Sequence, residues 1–201
     1  MSYSSEMTRK RIVECAEEEF FRCGYEQANL RTIAQNAKVT TGALYNHFKG
    51  KSELFDELVR EPGDELFRIF KAAHDTAHEQ LEAGMGDEMM QTGNDGTDFM
   101  LDYIYDHYSA FRLIFCYSKG SDYEYYLKPF ITIEEETYRR GMSENHALEE
   151  MDDFFIHVIS TTGFQYLAEV VTHDLSKAQA VQFMEKIKRF TVAGWAELMA
   201  E

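Results

Sequence analysis

Apolar residues recur every three or four positions along most of the chain and strict alternation is scarce, so the pattern predicts helices nearly throughout. Between Thr8 and Cys23, Ile12, Val13, Ala16 and Phe20 form one apolar face, and Gly24 supplies a stop. Asn29 has the side chain to cap a short second helix, Leu30 to Ala37, with Leu30, Ile33, Ala34 and Ala37 turned inward. A tight turn at Lys38 and Val39 leads to Thr40, which caps a third helix running to about His47. Two short helices joined in this way have the outline of a helix-turn-helix. Gly50 then breaks the chain before a fourth helix that begins near Lys51.

The fourth helix carries Leu54, Phe55, Leu58 and Val59, meets Pro62-Gly63, and resumes with Leu66, Phe67, Ile69 and Phe70. Proline inside a helix removes a hydrogen bond at a cost of about 3 kcal/mol, so a kink or break is expected at this pair, which is also a candidate hinge. The glycine-rich stretch Gly84 to Gly96 reads as a mobile loop. Asp98 to Tyr117 is dense in aromatics, and Gly120 to Tyr123 makes a turn. Pro129 suits the first turn of the next helix, which carries Glu134 to Glu136, Arg139 and Arg140 and stops at Gly141. Two long helices close the chain, about Ala147 to His173 and Ser176 to Met199, the second opening on the capping box Ser176 to Gln179.

Composition narrows the class. Of 201 residues, 44% are hydrophobic and 14% aromatic, enough for a packed core, and only two are proline. No apolar stretch of about 18 residues and no charged-then-apolar leader is present, so a cytoplasmic protein with no membrane partner is expected. Cys15, Cys23 and Cys116 lack CxxC spacing and are expected to be buried small apolar residues. The net charge of −16 disfavours a polyanion partner on average, yet residues 1–60 hold nine Lys or Arg and nine Asp or Glu, so the whole excess falls on the rest of the chain. A small domain with a basic side attached to an acidic body follows.

On the third helix, about 100° per residue places Leu44 and Phe48 on one inward stripe. Tyr45 and His47 flank it, while Gly42, Ala43 and Asn46 look outward. Small outward residues at a helix start let the backbone approach an anion such as DNA. A phenol and an imidazole beside a narrow helix can reach phosphates on the two walls of a major groove, with Thr41, Gly42 and Ala43 facing base edges. The alternative is that Tyr45 and His47 pack against the first and fourth helices.

Leu30 to Leu58, "LRTIAQNAKVTTGALYNHFKGKSELFDEL", resembles the N-terminal signature of the TetR family of transcriptional regulators, and "IVECAEEEFFRCGYEQANL" before it resembles that family's first helix. Phe20, Gly24, Tyr25, Ile33, Ala34, Val39, Gly42, Leu44, Tyr45, His47, Phe48, Lys51 and Leu54 fall at the family's spacing. The resemblance covers about the first 58 residues. It implies an all-α homodimer, with a three-helix helix-turn-helix DNA-binding domain over 1–50 and a helical effector-binding and dimerisation domain over 51–201. It further implies a ligand-responsive regulator, most simply a repressor, that binds palindromic operator DNA and is released by a small-molecule effector. By position, Thr41, Gly42 and Ala43 would face bases, Tyr45, His47 and Lys51 would hold phosphates, Arg31 would reach a base or a phosphate, and Thr40 and Asn46 are further DNA-binding candidates. Lys38 departs from the family's usual glycine. A positive φ there costs lysine about 1 kcal/mol, and its charge offers a phosphate contact in return.

In the remaining two thirds, aromatic residues from Phe99 to Tyr138 supply both core and candidate ligand contacts, among them Tyr103, Phe130 and Tyr138. Arg112, inside "AFRLIF", must reach solvent, pair with an acid or meet an anionic ligand. His107 and His157 read as core histidines, with His107 also a ligand candidate. His74 and His78 have metal-ligand spacing but no third ligand, so no metal is assigned. Glu134 to Glu136 reads as a solvated helix start. Ile159, Gly163, Phe164, Ile187, Phe190 and Trp195 form the candidate dimer stripe of the last two helices. No catalytic order, phosphate loop or dinucleotide fingerprint appears, and no cofactor is implied. The competing classes are a small-molecule-processing helical enzyme and a protein-binding module without a DNA role.

Overall fold

The structure is a computed structural model that describes residues 3–144 and 152–198, and every regular element among these is an α-helix. In order they are α1 (Tyr3–Gln27), α2 (Leu30–Asn36), α3 (Thr41–Tyr45), α4 (Lys51–Glu82), α5 (Gly86–Asp106), α6 (Tyr108–Tyr117), α7 (Lys128–Glu144), α8 (Asp153–Thr172) and α9 (Lys177–Leu198). The expected all-α class holds. The start of the closing pair's first helix, at Ala147, and the end of its second, at Met199, lie outside the described residues.

Contacts divide the chain into two compact units, one of residues up to Glu65 with His107–Tyr126, the other of Leu66–Asp106 with the chain from Leu127 onward. The helix-turn-helix unit therefore extends past residue 50, where the sequence marks the end of the motif. It recruits the first half of α4 and all of α6.

The first unit is built on α1. Ile12, Ala16 and Phe20 on its inner face meet Ile33, Ala34, Leu44 and Phe48 from α2, α3 and the turn after it, and Leu54, Phe55 and Val59 from α4, all essentially buried. Phe20 and Tyr25 present edges to Phe55 at centroid distances of 5.0 and 5.2 Å. Gly24 interrupts α1 in a conformation, φ 74° and ψ 165°, that a side chain would resist, so the expected stop becomes a break before one last turn. Glu19 is a buried acid, with Oε1 accepting from the Asn29 N–H at 3.2 Å and Oε2 from Arg22 at 2.7 Å.

The second unit is organised by phenylalanines. Phe70, Phe130 and Phe164 meet at centroid distances of 5.1, 5.2 and 5.6 Å, with Phe67 against Phe130 at 5.0 Å. Helix α7 packs along α8, its register fixed by Glu135 with His157 at 2.7 Å and Arg139 with Asp153 at 2.9 Å. Helix α5 packs along α9, where Lys177 bonds Asp102 at 2.9 Å and Lys188 donates to the Asn94 carbonyl at 3.0 Å. The capping box forms as read: Ser176 N–H donates to Gln179 Oε1 at 3.0 Å, and Gln179 N–H to Ser176 Oγ at 3.4 Å.

Several expectations give way to packing. The break at Pro62-Gly63 is absent, since α4 is continuous through Pro62. Val59 and Leu66, on either side, are buried, and Tyr126 Oη donates to the Gly63 carbonyl at 2.7 Å, so flanking burial offsets the lost hydrogen bond. The expected loop from Gly84 to Gly96 is largely the start of α5. A Cβ at Gly96 would lie 2.8 Å from the Ala73 Cβ, so glycine here permits close helix approach rather than freedom, and Thr92 Oγ1 adds a bond to Gln80 at 2.7 Å. The aromatic stretch Asp98 to Tyr117 is divided at His107, whose φ of −119° and ψ of 37° are not helical. Helix α7 runs beyond Gly141 to Glu144. The cysteines are not buried: Cys15 and Cys23 are half-buried and Cys116 is exposed. Partial burial and nearby glutamates still hold the Cys15 and Cys23 thiols above the ordinary pKa, which keeps them protonated.

Candidate nucleic-acid interface

Local chemistry sets the two short helices. Asn29 Oδ1 accepts from the Arg31 N–H at 2.9 Å and starts α2. At the other end, Arg11 Nε donates to the Ala37 carbonyl at 2.7 Å, and the Val39 N–H closes on the Ala34 carbonyl at 2.9 Å. Lys38 between them has a φ of 55°, the left-handed turn its place in the sequence requires. Thr40 Oγ1 accepts from the Ala43 N–H at 3.1 Å and starts α3. Leu44 and Phe48 are buried, so α3 docks by the expected stripe.

The opposite side of α3 is open. Tyr45 is 52% exposed, Thr40, Gly42 and Asn46 are exposed, and Thr41, Ala43 and His47 are half-exposed. Tyr45 is therefore not sealed among the neighbouring helices. A Cβ at Gly42 would meet only Thr40 Oγ1 at 3.9 Å, an ordinary contact, so nothing inside the fold demands glycine at this position.

The basic residues of the first sixty separate into two groups. Arg9 clasps Glu57 with both terminal nitrogens, at 2.5 and 2.6 Å, and lies over the Phe48 ring at 4.8 Å; its bond holds the Glu57 carboxyl below the usual range. Arg11 caps α2, Arg22 pairs with Glu19, Lys10 lies 3.9 Å from Glu14 and Arg60 pairs with Asp56. Lys51, expected to hold a phosphate, instead donates to the carbonyls of Glu26 at 3.0 Å and Ala28 at 3.4 Å and stands 4.6 Å over the Tyr25 ring. Three acceptors at the end of α1 use its charge internally. Among the described residues Arg31, Lys38 and Lys49 make no ion pair and are exposed. All three flank α2, the turn and α3. Lys49, which the sequence reading left out of the candidate site, follows the buried Phe48 directly and is exposed.

Residues 12–58 match the family described as bacterial regulatory proteins, tetR family. This N-terminal segment is what the chain shares with the TetR family. The transcriptional repressor KstR2 of Mycolicibacterium smegmatis is 34% identical over 74 residues, 37% of this chain and 36% of its own length. The transcriptional regulator TtgR of Pseudomonas putida is 42% identical over 64 residues, 30% of each chain. The match thus spans about a third of the length of these curated relatives. A crystal structure of NalD, the secondary repressor of the MexAB-OprM multidrug efflux pump in Pseudomonas aeruginosa, has a similar fold, with a TM-score of 0.52 at 19% identity over 92% of this chain and 96% of that one.

Beyond this TetR-family segment, the five residues expected to line one ligand site are not brought together. His107 and Arg112 belong to the first unit, where Arg112 stands 5.8 Å over the Phe21 ring of α1 and His107 is exposed at the start of α6. Tyr103, Phe130 and Tyr138 belong to the second unit. Phe130 is core, Tyr103 is half-buried, and Tyr138 stacks on Trp195 at 5.2 Å. His157 is exposed rather than core and pairs with Glu135, whose carboxyl it holds below the usual range. Glu134 is the reverse of the expected solvated acid: burial pushes its carboxyl above the usual range, and Tyr138 donates to it. His74 Nε2 meets Thr137 Oγ1 at 2.7 Å.

Of the candidate dimer stripe, Phe164 is buried in the phenylalanine cluster and so unavailable to a partner. Phe190 is 72% exposed, Gly163 is open, and Ile159, Ile187 and Trp195 are half-buried. Phe154, Val158 and Val181 add exposed apolar surface to α8 and α9.

Proposed function

We propose that this TetR-family protein is a transcriptional repressor that binds palindromic operator DNA as a homodimer and is released by a small-molecule effector. The observation that carries the reading is the unused charge around α3: in a chain of net charge −16, the cations without an internal partner among the described residues of the first unit are Arg31, Lys38 and Lys49, beside an exposed Tyr45. Helix α3 enters the major groove with Thr41, Gly42 and Ala43 toward base edges. Tyr45 and His47 grip phosphates at the walls, Thr40 and Asn46 lie at the ends of the contact, and Arg31, Lys38 and Lys49 supply the charge. Exposed Phe190, Val158 and Phe154 suit a two-fold interface of α8 and α9.

The second unit holds the effector, and α4, which contributes its first half to the reading head and its second half to the effector-binding unit, carries the coupling. Selection from random duplex DNA tests the reading. An inverted repeat with half-sites about 34–36 Å apart, or a multiple of that, is expected; recovery of no enriched sequence would refute it.

A further inference from the structure

Three core phenylalanines point to a polar layer beside them. Phe70 on α4, Phe130 on α7 and Phe164 on α8 form one cluster. Helices α4 and α7 advance together, since His74 meets Thr137, while α8 runs against α7, since Glu135 meets His157 and Arg139 meets Asp153. One turn beyond the cluster, toward the same end, the three helices therefore bring His74, Glu134 and Ser160 to one level.

This layer has bonding capacity that the protein does not use. Ser160 is 2% exposed, and its hydroxyl, the neighbouring Thr161 hydroxyl and His74 Nδ1 are buried without a hydrogen-bond partner among the described residues. Asp75 Oδ1, at 3.8 Å from Nδ1, is beyond bonding reach. Thr137 spends its one proton on the Ile133 carbonyl at 3.1 Å, so it accepts from His74 Nε2, and the imidazole carries its proton there. Nδ1 is left as a bare acceptor, and burial lowers the His74 pKa and keeps the ring neutral. The layer thus offers one acceptor and two hydroxyl donors, beside the Glu134 carboxyl that burial pushes above the usual range. Among the described side chains no unpaired cation is supplied by the adjoining turns: Lys71 pairs with Asp75, and Arg139 with Glu135 and Asp153.

Resting on the effector reading above, we propose that the ligand of the second unit is a neutral molecule with an apolar body and a hydroxyl group. The hydroxyl donates to His74 Nδ1 and accepts from Ser160 or Thr161, while the body lies against the phenylalanine cluster. A carboxylate would enter a layer without a free cation, and a hydrocarbon would leave all three groups unpaired.

The full chain contains one tryptophan, Trp195, stacked on the Tyr138 that bonds Glu134, so its emission reports on this layer. Titration with 4-ethylphenol, ethylbenzene and 4-ethylbenzoate should give a saturable change in emission and a rise in Tm with the phenol, bound at least about tenfold more tightly than either of the others. Ser160→Ala and His74→Phe should each weaken 4-ethylphenol by about three- to tenfold and leave ethylbenzene unchanged. Equal binding of phenol and hydrocarbon, tighter binding of the benzoate, no response to the phenol, or variants that bind it like the wild type would each overturn the proposal. Should a variant lose helicity by circular dichroism, the wild-type selectivity decides. Operator affinity of the unliganded protein is measured separately. DNA binding without phenol uptake defeats only this inference, and phenol uptake without DNA binding defeats only the regulatory reading.

Discussion

The two units leave different things unsatisfied. In the first, polar and charged groups that face inward are used up: Glu19 caps α2, Arg11 closes it, Lys51 holds the end of α1, and Arg9 clasps Glu57. What remains unspent lies outside, on Arg31, Lys38, Lys49 and Tyr45. In the second, surface charges pair across helices, as in Lys177 with Asp102 and Arg139 with Asp153, and the unspent groups are inside, on His74, Ser160 and Thr161. A large polyanion is met on a surface and a small molecule in an interior, so the location of unused bonding capacity separates the two tasks proposed for the chain.

The largest effect that would break this contrast is on DNA. Ala43→Glu places a carboxylate on the open face of α3 and should cost at least about 100-fold in affinity for a selected duplex, with helicity unchanged. Retained binding in an anisotropy titration would remove α3 from the groove. Next comes the distinction between inner and outer aromatics. Phe55→Ala should cost about 3–5 kcal/mol in chemical denaturation, and Tyr45→Ala should stay within about 0.5 kcal/mol. A comparable loss for Tyr45→Ala would mean the phenol is structural.

Lys38→Gly sharpens the contrast because its two effects have opposite signs. Relief of the φ of 55° should stabilise the fold by about 1 kcal/mol, seen as a higher Tm. Loss of one cation per protomer should flatten the dependence of DNA affinity on salt, by roughly two units of log–log slope for a dimer. A higher Tm with an unchanged slope would leave Lys38 without a phosphate.

The smallest effect concerns two carboxyls. Glu57, lowered by Arg9, contributes stability that is present above the unfolded pKa and lost as pH falls through its folded value; it is partly exposed, so screening keeps this below about 1 kcal/mol. Glu134, raised by burial, acts oppositely: the folded state keeps its proton longer, so stability falls as pH rises from the unfolded pKa toward the folded one. Denaturation of Glu57→Gln and Glu134→Gln at pH 4 and 7 should show the first losing more stability at the higher pH and the second gaining it only there. Shifts of the same sign would contradict the assignment.

Legibility followed the range of the interactions. The helix-turn-helix was readable because its determinants are local: Asn29 and Thr40 cap the next few residues, Leu44 and Phe48 share a stripe within one turn, and Lys38 stands where a left-handed turn is needed. Pro62 and the glycines from 84 to 96 were misread because distant groups override local propensity, Tyr126 on Gly63 and Ala73 against Gly96. Charge alone did not reveal that Lys51 is spent on the carbonyls of Glu26 and Ala28, or that Lys49 is free. The polar layer was out of reach for the same reason. His74, Glu134 and Ser160 are each unremarkable in sequence, and only helix register brings them to one level.

The central claim is that the exposed face of α3 and the three unspent cations hold duplex DNA, and the salt dependence of operator binding tests it most directly. For a dimer using Arg31, Lys38 and Lys49 from each protomer, log affinity against log salt should fall with a slope of about −5, and Arg31→Ala with Lys49→Ala should reduce it by roughly three to four units. A slope near zero, or one that the double variant leaves untouched while helicity is intact, would contradict the account.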